Sequence, residues 1–173
     1  MKWRILQKIF IIEDYVIDDA TEHTYSTTHS TDYFTPIHND FDFDASNDWE
    51  LSLDYYQSNR GGGVGLNPVN QGNTIKYHII YGQNQAQTAV YYGNSNGTES
   101  AKRHVENGIL NTYMNLKFVK ENGTITLYRN GSIYDSVSSS EHTIGSNGNM
   151  TIGLSEWISG STIKIKNIQL KTL

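Results

Sequence analysis

Apolar and polar residues alternate wherever the chain is apolar. In residues 49–55 the apolar positions are Trp49, Leu51, Leu53 and Tyr55. The same two-residue period recurs in residues 75–81 and in residues 114–118. A period of two places every second side chain on one face of a β-strand, whereas helical spacing is almost absent from this chain. The pattern therefore predicts an all-β fold of half-buried strands.

Asn-Gly dipeptides mark the expected turns, because this pair tolerates the positive φ angles of tight hairpins. They occur at residues 96–97, 107–108, 122–123, 130–131 and 147–148. The third and fourth separate alternating segments between residues 115 and 137, which predicts a three-stranded meander. Each strand has one apolar face that needs a partner layer. We therefore expect a two-sheet antiparallel β-sandwich, with a closed barrel as the alternative.

The last alternating segment, residues 162–170, changes phase part-way along. Ile163 and Ile165 share one face, but Ile168 and Leu170 are out of step with them by one residue. A β-bulge near Lys166-Asn167 would return both pairs to the core.

The length of 173 residues fits a single domain with one core. We expect one β-sandwich domain over residues 1–173, with its core at about residues 9–173. Residues 20–35 are rich in Thr, Ser and His, and we interpret them as a long surface connection.

Charge and composition exclude some partners. The chain has 13 Lys and Arg against 18 Asp and Glu, so it lacks the basic field that binds nucleic acid. Its N-terminal apolar run, Ile9-Phe10-Ile11-Ile12, is far shorter than the ~20 residues of a membrane span, so we expect no membrane insertion. Few residues are charged and Asn, Gly, Ser, Thr and Tyr are abundant, which favours an extracellular or virion surface.

Four segments resemble one known superfamily. Residues 115–131, in which a tyrosine is followed closely by Asn-Gly, resemble the hairpin of concanavalin A-like, laminin-G-type jelly rolls. Residues 49–54, 151–154 and 163–168 are similar to an early, a late and a closing strand of the same superfamily. The resemblance implies a curved sandwich of two antiparallel sheets whose concave face often holds glycans, in a lectin, glycosidase, lyase or scaffold.

Carboxylates are the candidate catalytic groups. Glycoside hydrolysis needs two of them about 5 to 9 Å apart across the scissile bond. The superfamily's glucanases carry a strand motif that begins Glu-x-Asp and ends in a second Glu, and nothing in this chain matches it. The nearest candidates for a glycosidase or polysaccharide lyase are Asp42, Asp44 and Glu50.

A metal site has two kinds of candidate ligand. Asp40, Asp42 and Asp44 carry the hard oxygen ligands that suit calcium, and a solvated strand face is the alternative interpretation. The six histidines show no short ligand spacing, so the pattern gives zinc no support.

Aromatic residues give the more informative signal, because exposed Tyr and Trp stack on the apolar faces of sugars. Tyr55-Tyr56 and Tyr91-Tyr92 are adjacent pairs, so alternation forces one member of each pair out of the core. Outward tyrosines that merely fit a pleated surface are the alternative. The candidate ligand-binding residues are Tyr56, His78, Tyr91 and Trp157 as stacking or contact groups, with Arg60 and Asp54 as polar partners.

The sequence thus predicts a noncatalytic glycan-recognition or attachment domain, borne on a virus tail, a virion surface or a cell-surface protein. A glycosidase or lyase on the same fold is the first alternative. A structural or decoration domain that binds only protein, as a symmetric homo-oligomer, is the second.

Overall fold

A computed structural model describes residues 15–28, 33–38, 43–71, 74–84, 87–93, 99–102, 109–138, 150–156 and 158–173. For residues 67–71, 74–80, 83–84, 87–93 and 99–102 only the backbone and its pairing are described. These residues form thirteen β-strands and contain no helix. In chain order the strands are β1 Tyr15–Asp19, β2 His23–Ser26, β3 Tyr33–His38, β4 Trp49–Gln57, β5 Gly62–Gln71, β6 Thr74–Asn84, β7 Gln87–Gly93, β8 Glu99–Lys102, β9 Met114–Glu121, β10 Thr124–Arg129, β11 Ser132–Ser138, β12 Ile152–Glu156 and β13 Thr162–Thr172.

The strands form two antiparallel sheets. The first sheet has the order β1-β13-β4-β9-β10-β11, and β2 also pairs with β13. The second has the order β3-β12-β5-β6-β7-β8. The predicted two-sheet antiparallel β-sandwich is therefore confirmed.

The core lies between the sheets and follows the predicted alternation. Along β4 every second residue is buried, and the four apolar residues are fully inaccessible: Trp49, Leu51, Leu53 and Tyr55. From β9, Met114, Leu116 and Phe118 enter the same core. Burying a large apolar side chain contributes about 1.5–3 kcal/mol, so this two-residue period is the main determinant of the fold.

Two of the predicted Asn-Gly turns lie among the described residues, and both have the expected backbone. Asn122 and Gly123 have φ of 49° and 75°, and Asn130 and Gly131 have φ of 50° and 80°. Positive φ at both central residues is typical of the turn that matches the twist of a two-residue hairpin. The turns connect β9, β10 and β11 into the predicted meander.

The predicted bulge in the last strand is also confirmed. The pairing of β13 with β4 shifts register between Lys166 and Gln169, and Asn167 has φ of 52°. The extra residue restores the phase, since all four apolar residues on the two sides of the bulge are fully buried: Ile163, Ile165, Ile168 and Leu170.

One segment differs from expectation. Within the expected surface connection, residues 20–35, His23–Ser26 form β2, which pairs with β13. A second short strand, β8 Glu99–Lys102, lies at the edge of the second sheet and pairs with β7. Both strands have only four residues and few apolar side chains, so backbone pairing with an existing strand determines their conformation.

No helix among the described residues is long and apolar enough to cross a membrane.

Candidate functional site

Tyr56 and Asp54 lie on the outer face of the first sheet, as predicted. Both belong to β4, whose alternate residues Tyr55 and Gln57 are buried. Because side chains alternate across a strand, residues 54 and 56 point away from the core together.

The neighbouring strands place polar side chains beside Asp54. Lys166 of β13 and Asn115 of β9 are its cross-strand partners. Asn115 donates from Nδ2 to Asp54 Oδ1 at 3.2 Å, and Asn167 donates from Nδ2 to Asp54 Oδ2 at 2.7 Å. The bulge in β13 therefore has a second effect, because it directs the Asn167 amide outward to this carboxylate.

A second tyrosine lies against Tyr56. The ring centroids of Tyr56 and Tyr113 are 5.3 Å apart, with the planes tilted by 43°. The Tyr56 hydroxyl donates to Asn111 Oδ1 at 3.2 Å, and the Asn111 backbone N–H donates to the carbonyl of Gln57 at 2.9 Å. These bonds fix the segment before β9 against the end of β4, and so hold the two rings together.

Charged groups surround this pair of rings. Tyr113 donates its hydroxyl hydrogen to Glu22 Oε2 at 2.5 Å, and Lys164 Nζ is 3.0 Å from Glu22 Oε1. Lys166 Nζ lies 4.2 Å from the Tyr113 ring centroid, and Lys164 Nζ lies 5.8 Å from that of Tyr56. Both distances fit cation–π interactions. We call this set the tyrosine cluster: Glu22, Asp54, Tyr56, Asn111, Tyr113, Asn115, Lys164, Lys166 and Asn167.

The contact between Tyr113 and Glu22 changes the pKa of both groups. Burial, assisted by the hydrogen bond to Glu22, raises the pKa of Tyr113 to about 12. The same hydrogen bond, followed by that from Lys164, lowers the pKa of Glu22. The cluster is thus an ordered arrangement of paired groups at neutral pH.

A separate cluster of Asp19, His23 and His38 lies at the edge of the sandwich. Asp19 Oδ2 is 2.7 Å from His23 Nε2 and 3.0 Å from His38 Nε2. The hydrogen bond with His23, with further bonds from Thr21 and His38, holds the pKa of Asp19 well below its usual range. No local sequence pattern predicts this cluster, because Asp19 and His38 are 19 positions apart and lie in strands of different sheets.

A cleft of about 450 Å³ adjoins His23 and opens to solvent. It lies between β2 and β3, and its lining includes Glu22, His23, Tyr25, Thr35 and Ile37. The described part of the chain thus offers three candidate binding features. They are the tyrosine cluster, the cluster of Asp19, His23 and His38, and the cleft beside His23.

Comparison with protein-family models and with curated proteins gives no match. Comparison with solved structures gives several. A galectin from Caenorhabditis elegans superposes with a TM-score of 0.54 and 15% identity, over 84% of this chain and 94% of the galectin. The binding domain of botulinum neurotoxin serotype G gives a TM-score of 0.58 at 8% identity, over 88% of this chain and 40% of that chain.

A family 7 alginate lyase, solved in complex with its substrate, also matches. Its TM-score is 0.53 at 16% identity, over 76% of this chain and 63% of the lyase. The fold is a concanavalin A-like jelly roll. This jelly roll spans less than two thirds of the toxin and lyase chains, and at these identities the likeness shows the fold alone.

The jelly roll divides the predicted ligand-binding residues between its two sheets. Tyr56 and Asp54 are in the first sheet, whereas His78 lies in β6 and Tyr91 in β7 of the second. The two pairs of residues therefore lie in strands of different layers of the sandwich. The side chains of His78 and Tyr91 lie outside the described part of the structure, as does all of Trp157. Arg60 is exposed in the loop after β4.

Of the carboxylates predicted for catalysis or calcium, the structure describes Asp44 and Glu50. Asp44 is exposed and follows Phe43, which is buried. Hydrogen bonds from Ser46 lower the Asp44 pKa, and one of them, from the Ser46 backbone N–H, measures 2.9 Å. Residues 43 and 44 lie outside any strand, and Asp40 and Asp42 are outside the described residues.

Glu50 lies on the outer face of β4 between two lysines. Its carboxylate is 3.5 Å from Lys117 Nζ and 3.8 Å from Lys171 Nζ. Asp54 is four residues further along the strand, which corresponds to about 13 Å. Glu50 and Asp54 are thus too far apart to act as the carboxylate pair of a glycosidase.

Proposed function

We propose that this jelly roll is a noncatalytic glycan-recognition domain that binds sugar through the tyrosine cluster. The observation that carries the proposal is the pair of rings of Tyr56 and Tyr113, held side by side on an outer sheet face. Within one or two residues of them are the amide and carboxylate groups of Asp54, Asn111 and Asn115.

This arrangement matches the chemistry of a sugar ring. Sugars present apolar C–H faces that stack on tyrosine, and hydroxyl rims that exchange hydrogen bonds with Asn and Asp side chains. The lysine ammonium groups occupy ring faces through contacts worth about 0.5–1 kcal/mol at exposed sites. A sugar displaces them at small cost, since both lysine side chains are long and flexible.

The structural neighbours support the same class of ligand. One is a galectin, one is the binding domain of a neurotoxin and one is a polysaccharide lyase, solved with an oligomeric substrate. The neighbours support a sugar-binding role for the fold. The geometry of the tyrosine cluster supports placing the sugar-binding site there on this chain.

Glycan-array screening of the fluorescently labelled chain, against cell-wall and capsular glycans, tests the proposal. Isothermal titration with the best array ligand then compares Tyr56→Ala and Tyr113→Ala with the unchanged protein. Each substitution removes a stacking face worth about 1 kcal/mol or more, so we expect at least roughly fivefold weaker binding.

Tyr128→Ala is the matched control. Tyr128 lies on β10 of the same sheet, with Lys117 Nζ 5.0 Å from its ring centroid, outside the tyrosine cluster. Its removal leaves glycan affinity unchanged if the tyrosine cluster is the site. Loss of binding in Tyr91→Ala or Trp157→Ala, with full binding in Tyr56→Ala and Tyr113→Ala, would place the site elsewhere and reject this one.

A polysaccharide lyase or glycosidase is the second candidate, and it is favoured by one observation, the shared fold of the alginate lyase. Asp42, Asp44 and Glu50 remain the candidate carboxylates. Incubation with alginate and other polysaccharides, followed by assays of reducing ends and of unsaturated products, tests this function. Product formation that survives purification to homogeneity, and is lost in Glu50→Gln or Asp44→Asn, would replace the noncatalytic proposal.

We also propose that the domain acts on a virion or cell surface and assembles there as a homo-oligomer. Composition supports the location, since the chain is rich in Asn, Gly, Ser, Thr and Tyr and poor in charge. Ile133, 69% exposed on the edge strand β11, supports self-association. Light scattering after size-exclusion chromatography tests it, with Ile133→Ser expected to yield monomer.

A further inference from the structure

The cluster of Asp19, His23 and His38 has the composition of a metal site. Two imidazole nitrogens and one carboxylate oxygen all lie within 4.8 Å of one another. The three side chains are 18–30% exposed, so ions have access to them from solvent.

The topology explains why these residues meet. Asp19 ends β1 and His23 begins β2, and both strands pair along the same edge of β13. His38 ends β3, the edge strand of the other sheet. The cluster therefore joins the edges of the two sheets on one side of the sandwich.

We propose that Asp19, His23 and His38 bind a divalent transition-metal ion, with Zn²⁺ preferred, which links the two sheets. Imidazole suits zinc, copper and nickel, whereas calcium and magnesium take oxygen ligands only. This assignment is independent of glycan binding, because none of the three residues belongs to the tyrosine cluster.

The geometry needs little change to accept the ion. Zinc bonds of about 2.0–2.1 Å in a tetrahedral shell separate ligand atoms by about 3.3 Å. The distances from Asp19 Oδ2 to the two Nε2 atoms are 2.7 and 3.0 Å. Side-chain rotations that move Asp19 Oδ2 about 0.3–0.6 Å away from each Nε2 atom give both pairs the spacing of that shell.

Three protein ligands leave a fourth position in a tetrahedral shell, as in zinc sites that keep an exchangeable water. The cleft between β2 and β3 includes His23 in its lining, so water or a small anion in that cleft is positioned to fill it.

Titration of the tag-free, metal-stripped full chain with ZnCl2 by calorimetry tests the proposal. We expect one ion per chain, and a Tm raised by roughly 5–10 °C when free Zn²⁺ is 100 times its Kd. The same concentration of CaCl2 or MgCl2 leaves Tm unchanged. Addition of Co²⁺ produces the intense visible absorption of a four-coordinate ion.

His23→Ala and His38→Ala each weaken zinc binding by about tenfold or more. Asp19→Asn does the same, whereas the matched control Asp18→Asn retains full affinity. Asp18 has the same charge at the next position, but accepts a hydrogen bond from Gln169 at 3.1 Å.

A second measurement avoids dependence on variants that fail to fold. Zinc addition to the unchanged, ¹⁵N-labelled protein shifts the ring nitrogen resonances of two histidines, which single His→Gln variants assign to His23 and His38. Absence of saturable zinc binding overturns the proposal. Zinc-dependent shifts confined to His29, His78, His104 or His142 overturn it equally.

Discussion

Replacement of Lys120 by Met should destabilise the domain far more than the loss of a surface charge. Lys120, on β9, is only 7% exposed. Its Nζ donates to three consecutive backbone carbonyls, those of Ala45 at 3.1 Å, Ser46 at 2.5 Å and Asn47 at 2.9 Å. The ammonium group therefore organises the turn that leads into β4.

The size of the effect follows from these contacts. A hydrogen bond to a charged group contributes about 1.5–3 kcal/mol, so three such bonds set an upper limit of roughly 4.5–9 kcal/mol. Ser46 and Asn47 are exposed, so their carbonyls regain water in the variant. Burial lowers the pKa of Lys120, which shows that desolvation of the ammonium already offsets part of the gain. We therefore expect a loss of about 2–4 kcal/mol.

Urea unfolding monitored by tryptophan fluorescence measures this loss, because Trp49 is fully buried and donates to the Ala45 carbonyl at 3.3 Å. In a thermal scan the same loss lowers Tm by about 5–12 °C. Lys117→Met is the control on the same strand, since Lys117 is 36% exposed and its ion pair with Glu50 is worth about 1 kcal/mol or less. Equal unfolding midpoints for the two variants would refute the structural role of Lys120.

Three other predictions concern the core, the bulge and Tyr113. Leu53→Ala lowers the free energy of unfolding by about 2–5 kcal/mol, whereas Leu173→Ala, at an exposed position, stays within about 0.5 kcal/mol. Urea unfolding measures both, and similar losses would contradict the assigned core. Asn167→Val loses about 1–2 kcal/mol more than Asn167→Gly, because φ is 52° and both variants lose the hydrogen bond to Asp54. Equal destabilisation would contradict the left-handed bulge. The pKa of Tyr113 is about 12 in the folded chain, against an ordinary value of 10.0. The unfolded state therefore loses the Tyr113 proton first, and the free energy of unfolding falls as pH rises from about 10 to about 12. Tyr113→Phe removes that part of the decline. If urea unfolding gives the variant and the unchanged protein the same pH profile of stability, the pKa of Tyr113 is not raised by folding.

The sequence was sufficient for much of the fold because its strongest signals are local. The alternation around Leu51 and Leu53 and the glycine turns at residues 123 and 131 require no knowledge of distant residues. Even the bulge was predictable, since the phase change between Ile165 and Ile168 leaves one surplus residue. The short strands β2 and β8 were not, because their conformation comes from pairing with β13 and β7.

The candidate site was predictable only in part, for the same reason. The doubled tyrosine at residues 55 and 56 forces one ring outward, and that ring is Tyr56. Tyr113 and Asn111 precede β9, in an irregular segment without a period, so no local pattern places them beside it. His23 and His38 belong to different sheets and become neighbours only through the long-range register of the sandwich edges.

The position of β13 between β1 and β4 has a consequence for biosynthesis. It is the last strand of the sandwich to leave the ribosome, yet it hydrogen-bonds to strands made near the beginning, as in the contact of Gln169 with Asp18 across 151 residues. Until it emerges, β1 and β2 lack their pairing partner and the inner edge of β4 is unpaired. We therefore expect nascent chains to depend on protection from aggregation, and folding to complete slowly after β13 is available.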